Sequence, residues 1–136
     1  MSVQQDIATL TARCEYNETA KAAFHRVAKK YLRRLAATLA LPKGSYSIHS
    51  NQGGIAVSGE VTLHSEHLHL WVEQSCIGSA DRVVWYRGCH GQKDYTGMVN
   101  HAADASELVD TPRMADLCRA VIAQAEATDK RLASAA

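Results

Sequence analysis

Between Gly88 and His101 the chain gathers a thiol (Cys89), two imidazoles (His90, His101), an ammonium (Lys93), a carboxylate (Asp94), a phenol (Tyr95) and an amide (Asn100). These are the parts of a nucleophile and base pair, and an enzyme would use Cys89, His90 and Asp94. The glycines of the same stretch also allow backbone amides to hold an anion, backed by Lys93. Adjacent residues such as Cys89 and His90 point apart in extended backbone, so they meet only in a tight turn. No G-x-S-x-G, H-E-x-x-H, P-loop or dinucleotide fingerprint is present, and Gly88-x-x-Gly91 alone carries no chemistry. A purely structural reading competes: the glycines let the chain wrap a sheet edge while Asp94, Tyr95 and Asn100 bond turn backbone. Binding through Lys93, Tyr95, Asn100 and His101 is therefore favoured over catalysis.

A second group lies on alternating segments. Ser47, His49, Ser58, Glu60, Thr62, His64, His67, His69, Trp71 and Glu73 all fall on one face of three strands if the aliphatics fall on the other. Histidine and threonine suit a solvated sheet face. A face bearing Trp71 and His69 also suits a partner protein or a second copy, since aromatics anchor interfaces. Histidines two apart, His67 and His69, could share a metal, but nothing at a hairpin tip fixes their rings. No metal and no cofactor is expected.

The third group is basic. Arg26, Lys29, Lys30 and Arg33 recur at helical spacing, with Lys21 and Arg34 flanking. Such a stripe can meet phosphates of a nucleic acid. It is also what the solvated side of any surface helix looks like.

The positioning elements follow from periodicity. Ser2-x-x-Gln5 reads as a capping box opening a short helix with Ile7, Leu10 and Cys14 on one face. Asn17 either caps a second, longer helix or marks a kink in a continuous one; the apolar stripe there is Phe24, Val27, Ala28, Tyr31, Leu35 and Leu39, ended by Pro42 and Gly44. Asn51-Gln52-Gly53-Gly54 and Ser65-Glu66 read as turns. With two-residue turns, Leu63 pairs with Leu68, Val61 with Leu70 and Gly59 with Val72, while His64 meets His67, Thr62 meets His69 and Glu60 meets Trp71. On the first hairpin Ile48 meets Val57 and Tyr46 meets Gly59. All aliphatics then share one face.

Arg82–Arg87 reads as a fourth strand with apolar residues on both faces, so its orientation stays open. Ser106–Val109 reads as a helical turn. Thr111-Pro112 reads as a helix start, threonine capping, with Met114, Leu117, Cys118, Val121, Ile122 and Ala125 on the buried side. The tail from Thr128 is expected to fray.

These elements predict a single α+β domain over residues 1–136: a two-layer sandwich in which a four-stranded antiparallel meander carries N-terminal helices and a C-terminal helix on one face. A chain of 136 residues buries a core without staples. Its net charge of +1 argues against a strongly acidic or basic coat protein. The N-terminus lacks a signal-peptide pattern and no stretch is apolar enough to span a bilayer, so a cytoplasmic protein is expected. Cys14, Cys76, Cys89 and Cys118 are widely scattered, which fits reduced thiols. The functional expectation is a small interaction protein, self-associating or docking on a protein partner through the open sheet face and the 88–101 loop. The alternatives are an enzyme using Cys89, His90 and Asp94, or a nucleic-acid-associated protein using the basic helix.

Overall fold

The computed structural model describes residues 3–11, 18–51, 59–73, 82–92 and 98–135. Along the chain run helices α1 (Val3–Thr11) and α2 (Glu18–Thr38), strands β1 (Tyr46–Asn51), β2 (Glu60–Ser65), β3 (Leu68–Glu73), β4 (Arg82–Gly88) and β5 (His101–Asp104), and helices α3 (Ala105–Val109) and α4 (Thr111–Ala135). The strands form one antiparallel sheet in sequence order. Val61, Leu63, Leu68, Leu70, Val72 and Val84 point from it into a core shared with Phe24, Tyr31 and Leu35 of α2 and Met114 and Cys118 of α4. The chain is therefore a two-layer α+β sandwich, held by the burial of one sheet face against amphipathic helices.

Helix α2 stops where its backbone turns left-handed at Ala40, φ 55°. Leu41 N–H bonds the Ala36 carbonyl at 3.1 Å and Ala40 N–H bonds that of Ala37 at 3.0 Å. Together these two bonds make a Schellman ending, with alanine where glycine is usual. Pro42 then prevents continuation.

Several expectations are corrected. The sheet has a fifth strand, β5, which begins at His101, the last residue of the expected loop; His-Ala-Ala-Asp lacks the β-branched and aromatic residues that mark strands. The turn between β2 and β3 is centred on Glu66 and His67, not Ser65 and Glu66. Leu63 therefore meets Leu70, Val61 meets Val72, Thr62 meets Trp71, His64 meets His69 and Glu60 meets Glu73. The first hairpin is shifted further: Ile48 meets Leu63 and Tyr46 meets Ser65, so the connection from Asn51 to Glu60 exceeds a two-residue turn. Both shifts are even, so every aliphatic stays on the core face.

Asp110 rather than Thr111 caps α4, its carboxylate accepting from Arg113 N–H at 3.1 Å. The expected fraying from Thr128 is not found: α4 runs to Ala135, and Asp129 on it is tied to two histidines. Strand β4 is oriented with Val84 and Tyr86 inward. Ser2, Cys14, Asn17, residues 52–58, Cys76 and residues 93–97 lie outside the described residues.

Gly88 sets the distance between the layers. A Cβ there would sit 2.9 Å from Met98 Sδ, 3.1 Å from the Val121 carbonyl oxygen and 3.2 Å from Ala125 Cβ. Helix α4 thus crosses directly over the end of β4, which brings its last turns to the β2–β3 hairpin.

Candidate functional site

The face of the sheet away from the core is the first candidate. On the central strands it carries His64 and Thr62 from β2, His69 and Trp71 from β3, and Trp85 and Arg87 from β4, as alternation dictates. Among the described residues no helix or strand lies over it. The His64 and His69 rings stack at 4.5 Å and the Trp71 ring lies 5.0 Å beyond His69. Arg87 binds this row twice: its Nη2 is 3.1 Å from His69 Nδ1, and its guanidinium lies 5.7 Å from the Trp71 ring centre. A guanidinium can only donate, so His69 Nδ1 accepts and the ring is neutral with its proton on Nε2. His64 and His69 are only 4% and 8% exposed. Trp71 and Trp85, directly opposite each other, remain half-buried.

Towards β1 a depression of about 170 Å³ opens among Ser47, His49, Glu60, Thr62, His64 and His69. Glu60 and Glu73 face each other across β2 and β3. Partial burial and the Glu60 carboxylate raise the Glu73 pKa above its ordinary value.

His67, expected on this face beside His69, is instead in the turn and reaches the helical layer. Its Nε2 donates to Asp129 Oδ2 at 2.8 Å and its Nδ1 lies 4.0 Å from Glu126 Oε1. Asp129 Oδ1 accepts from His90 Nδ1. One carboxylate on α4 thus holds the β2–β3 turn and the segment after β4 together. Among the described residues no group of three or more His, Cys, Asp or Glu is arranged to hold a metal ion. A cavity of about 250 Å³ lies beside His67, floored by Leu41, Pro42 and Ile122 and rimmed by Ser45, Glu66 and Glu126.

The bond from His67, followed by that from His90, lowers the Asp129 pKa below the ordinary carboxyl value; partial burial opposes it. A depressed carboxyl pKa contributes stability that is full above the unfolded value of about 3.9 and is lost as pH falls through the lower folded value. Asp129→Asn is therefore expected to melt below the parent at pH 7, with the gap closing under acid. Equal melting temperatures at pH 7 would show the carboxylate to be idle. This contact joins positions 62 and 39 residues apart, and no local pattern announces it.

The loop residues fare unevenly. Cys89 is fully buried, its thiol directed at the Ser65 and Glu66 carbonyls, each at 3.4 Å. A fully buried sulfur whose single S–H is shared between two carbonyls is enclosed by the fold, not presented as a nucleophile. His90 is turned to Asp129. Asn100 and His101 are exposed at the sheet edge, His101 stacking on Tyr86 at 5.3 Å. Lys93, Asp94 and Tyr95 lie outside the described residues.

On α2, Arg26 and Arg33 are exposed and Lys29 is partly so, whereas Lys30 Nζ pairs with the buried Asp6 carboxylate of α1 at 3.0 Å. Lys21, which flanks the stripe, is buried. The stripe is thus partly spent inside the fold. Trp85 and Arg87 are the outer-face residues missed in the sequence; the apolar residues on both sides of β4 hid its orientation.

No protein-family model, no curated protein and no solved structure matches this chain. No described helix is long and apolar enough to cross a membrane.

Proposed function

We propose that this chain is a small interaction protein that works through the outer face of its sheet and self-associates there. The observation that carries the reading is the placement of both tryptophans of the chain. Trp71 and Trp85 stand opposite each other on neighbouring strands, each partly exposed, at the centre of that face. A wet face of an antiparallel sheet is ordinarily polar. Tryptophan and arginine, by contrast, are the residues that anchor interfaces. Asn100 and His101, exposed at the β5 edge, form a second contact point for a partner. The free thiols of Cys89 and Cys118 suit a cytoplasmic setting. The buried thiol of Cys89 gives no support to an enzyme built on it, and the pairing of Lys30 with Asp6 weakens the phosphate-binding reading of α2.

Sedimentation across a concentration series tests the proposal. The parent is expected to associate reversibly, and Trp71→Ala to weaken that association at least about tenfold, the loss typical of an interface anchor. Lys29→Glu with Arg33→Glu, on the helical side, is expected to leave it unchanged. The reverse pattern would move the working surface to α2.

A further inference from the structure

We infer that the free edge of the sheet, strand β1, pairs with one further strand supplied by an acidic partner protein. The edge is a different surface from the outer face, and either can work without the other. Alternation settles which backbone groups are open. Cys89 N–H bonds the His67 carbonyl at 3.3 Å, while the Gly88 carbonyl turns away from β3 to Met98 N–H at 3.1 Å. His67, His69 and Trp71 therefore turn their backbone groups to β4, and Leu68, Leu70 and Val72 turn theirs to β2. Carried across the next two registers, Glu60, Thr62 and His64 bond Asn51, His49 and Ser47 of β1. The N–H and C=O of Tyr46, Ile48 and Ser50 are left on the outer side of β1, where no described strand pairs with them. Sheet edges are ordinarily blunted. The β5 edge is: it has four residues, its pairing with β4 slips between Arg82 and Val84, and it ends in the charged Asp104. By contrast, β1 has six residues in unbroken register, without proline or charge.

The charge around that edge selects the partner. Helix α2 lies over β1, with His25 Nδ1 2.7 Å from Ser50 Oγ, while Lys30 and Arg34 on its opposite side reach Asp6 of α1. Lys29 is one turn on from His25 and Arg33 one turn further, so both continue the flank that overhangs the free edge. Lys29 is partly exposed and Arg33 exposed, and neither has a carboxylate partner among the described residues. Lys43, exposed just before β1, adds a third cation. Glu60 and Glu66 belong to β2 and the turn after it, one strand further in. A residue directly across from Tyr46, Ile48 or Ser50 projects to the helical side of the sheet, as these three do. Glutamates at those places meet Lys29 and Arg33, and their methylenes cover the partly exposed Tyr46 and Ile48. A second copy would bring its own Lys29 and Arg33 to the same flank, a like-charge contact that an acidic strand replaces with attraction. Main-chain bonds then give the affinity and the carboxylates the choice of partner.

The probe is a fluorescein-labelled peptide of five Thr-Glu repeats, which sets every carboxylate on one side of an extended strand. Fluorescence anisotropy is expected to show salt-sensitive binding of this peptide to the parent and no binding of its Thr-Lys counterpart. Lys29→Glu with Arg33→Glu is expected to weaken binding at least about tenfold. Ile48→Pro is expected to abolish it: proline there removes an N–H that faces outward, so the β2 ladder persists. Ile48→Ala, which loses the side chain but keeps the N–H, is expected to bind. Residue-resolved hydrogen exchange reads the edge itself and needs no variant. The amides of Tyr46, Ile48 and Ser50 are expected to exchange faster than those of Ser47, His49 and Asn51 in the free protein, and to slow when peptide is added. Absence of binding, equal binding of both peptides, or binding without slower exchange at those three amides overturns the proposal. So does protection of the same amides by raised protein concentration alone, which would make the occupant a second copy. None of these results bears on Trp71→Ala, which reports the outer face separately.

Discussion

Gly88→Ala is expected to destabilise the fold by about 1–3 kcal/mol, the cost of forcing an extra carbon into a packed core. The added Cβ meets three atoms, and only Met98 Sδ can swing away cheaply. The Val121 carbonyl and Ala125 Cβ belong to α4, which must lift off the end of β4 to make room. Lifting it also draws Asp129, one turn beyond Ala125, from His67 and His90. For a domain of this length each kcal/mol corresponds to about 4 °C in melting temperature, so a loss of several degrees is predicted. Hydrogen exchange should rise in the last turns of α4 before it rises in the sheet. An unchanged melting temperature would mean that the two layers are not in contact at this point.

Asp6→Ala is expected to cost about 1–3 kcal/mol, less than the 3–5 of a fully buried pair because both cations keep water. Asp6 is 2% exposed, with Lys30 at 3.0 Å and Arg34 at 3.9 Å, whereas the side chains of Lys30 and Arg34 are 43% and 31% exposed. Helix α1 has nine residues, too few to stand alone, so its docking rests on Ile7 and Leu10 in the core and on this carboxylate. The expected result is early proteolysis at α1 and a lower unfolding midpoint in urea. A midpoint equal to the parent's would show that the apolar contacts suffice. The same substitution releases Lys30, so it also tests the basic stripe: gain of salt-sensitive nucleic-acid binding in Asp6→Ala alone would show the pair to be masking it.

The layers of the fold were legible because period-two alternation and helical stripes each mark one buried face. Register was not, for the same reason. Moving a hairpin partner by two residues preserves every face, so Leu63 is equally apolar opposite Leu68 or Leu70. Long-range bonds accompany the observed register: Cys89 N–H to the His67 carbonyl and Gly91 N–H to that of Glu66. Neither can be seen from the hairpin itself. His67 shows the consequence, since the shift removes it from the outer face and hands it to Asp129. Which residues of β2 and β3 face away from the core was legible from their parity. The second tryptophan of that face was not, because Val83-Val84-Trp85-Tyr86 gives no alternation to follow. The 88–101 segment yielded least: its residues are chemically able, but Cys89 is buried by hydrogen bonds to a turn more than twenty residues earlier.

The proposal that this protein makes contact through its outer face is tested most directly by its own emission. Both tryptophans lie there, so their fluorescence reports that face alone. The measurement is acrylamide quenching of tryptophan emission from dilute to concentrated protein, followed alongside sedimentation. Protection of the indoles and a blue shift, rising in step with dimer formation, are the predicted result. Association that leaves quenching and emission unchanged would place the contact elsewhere and leave the tryptophan face without a partner.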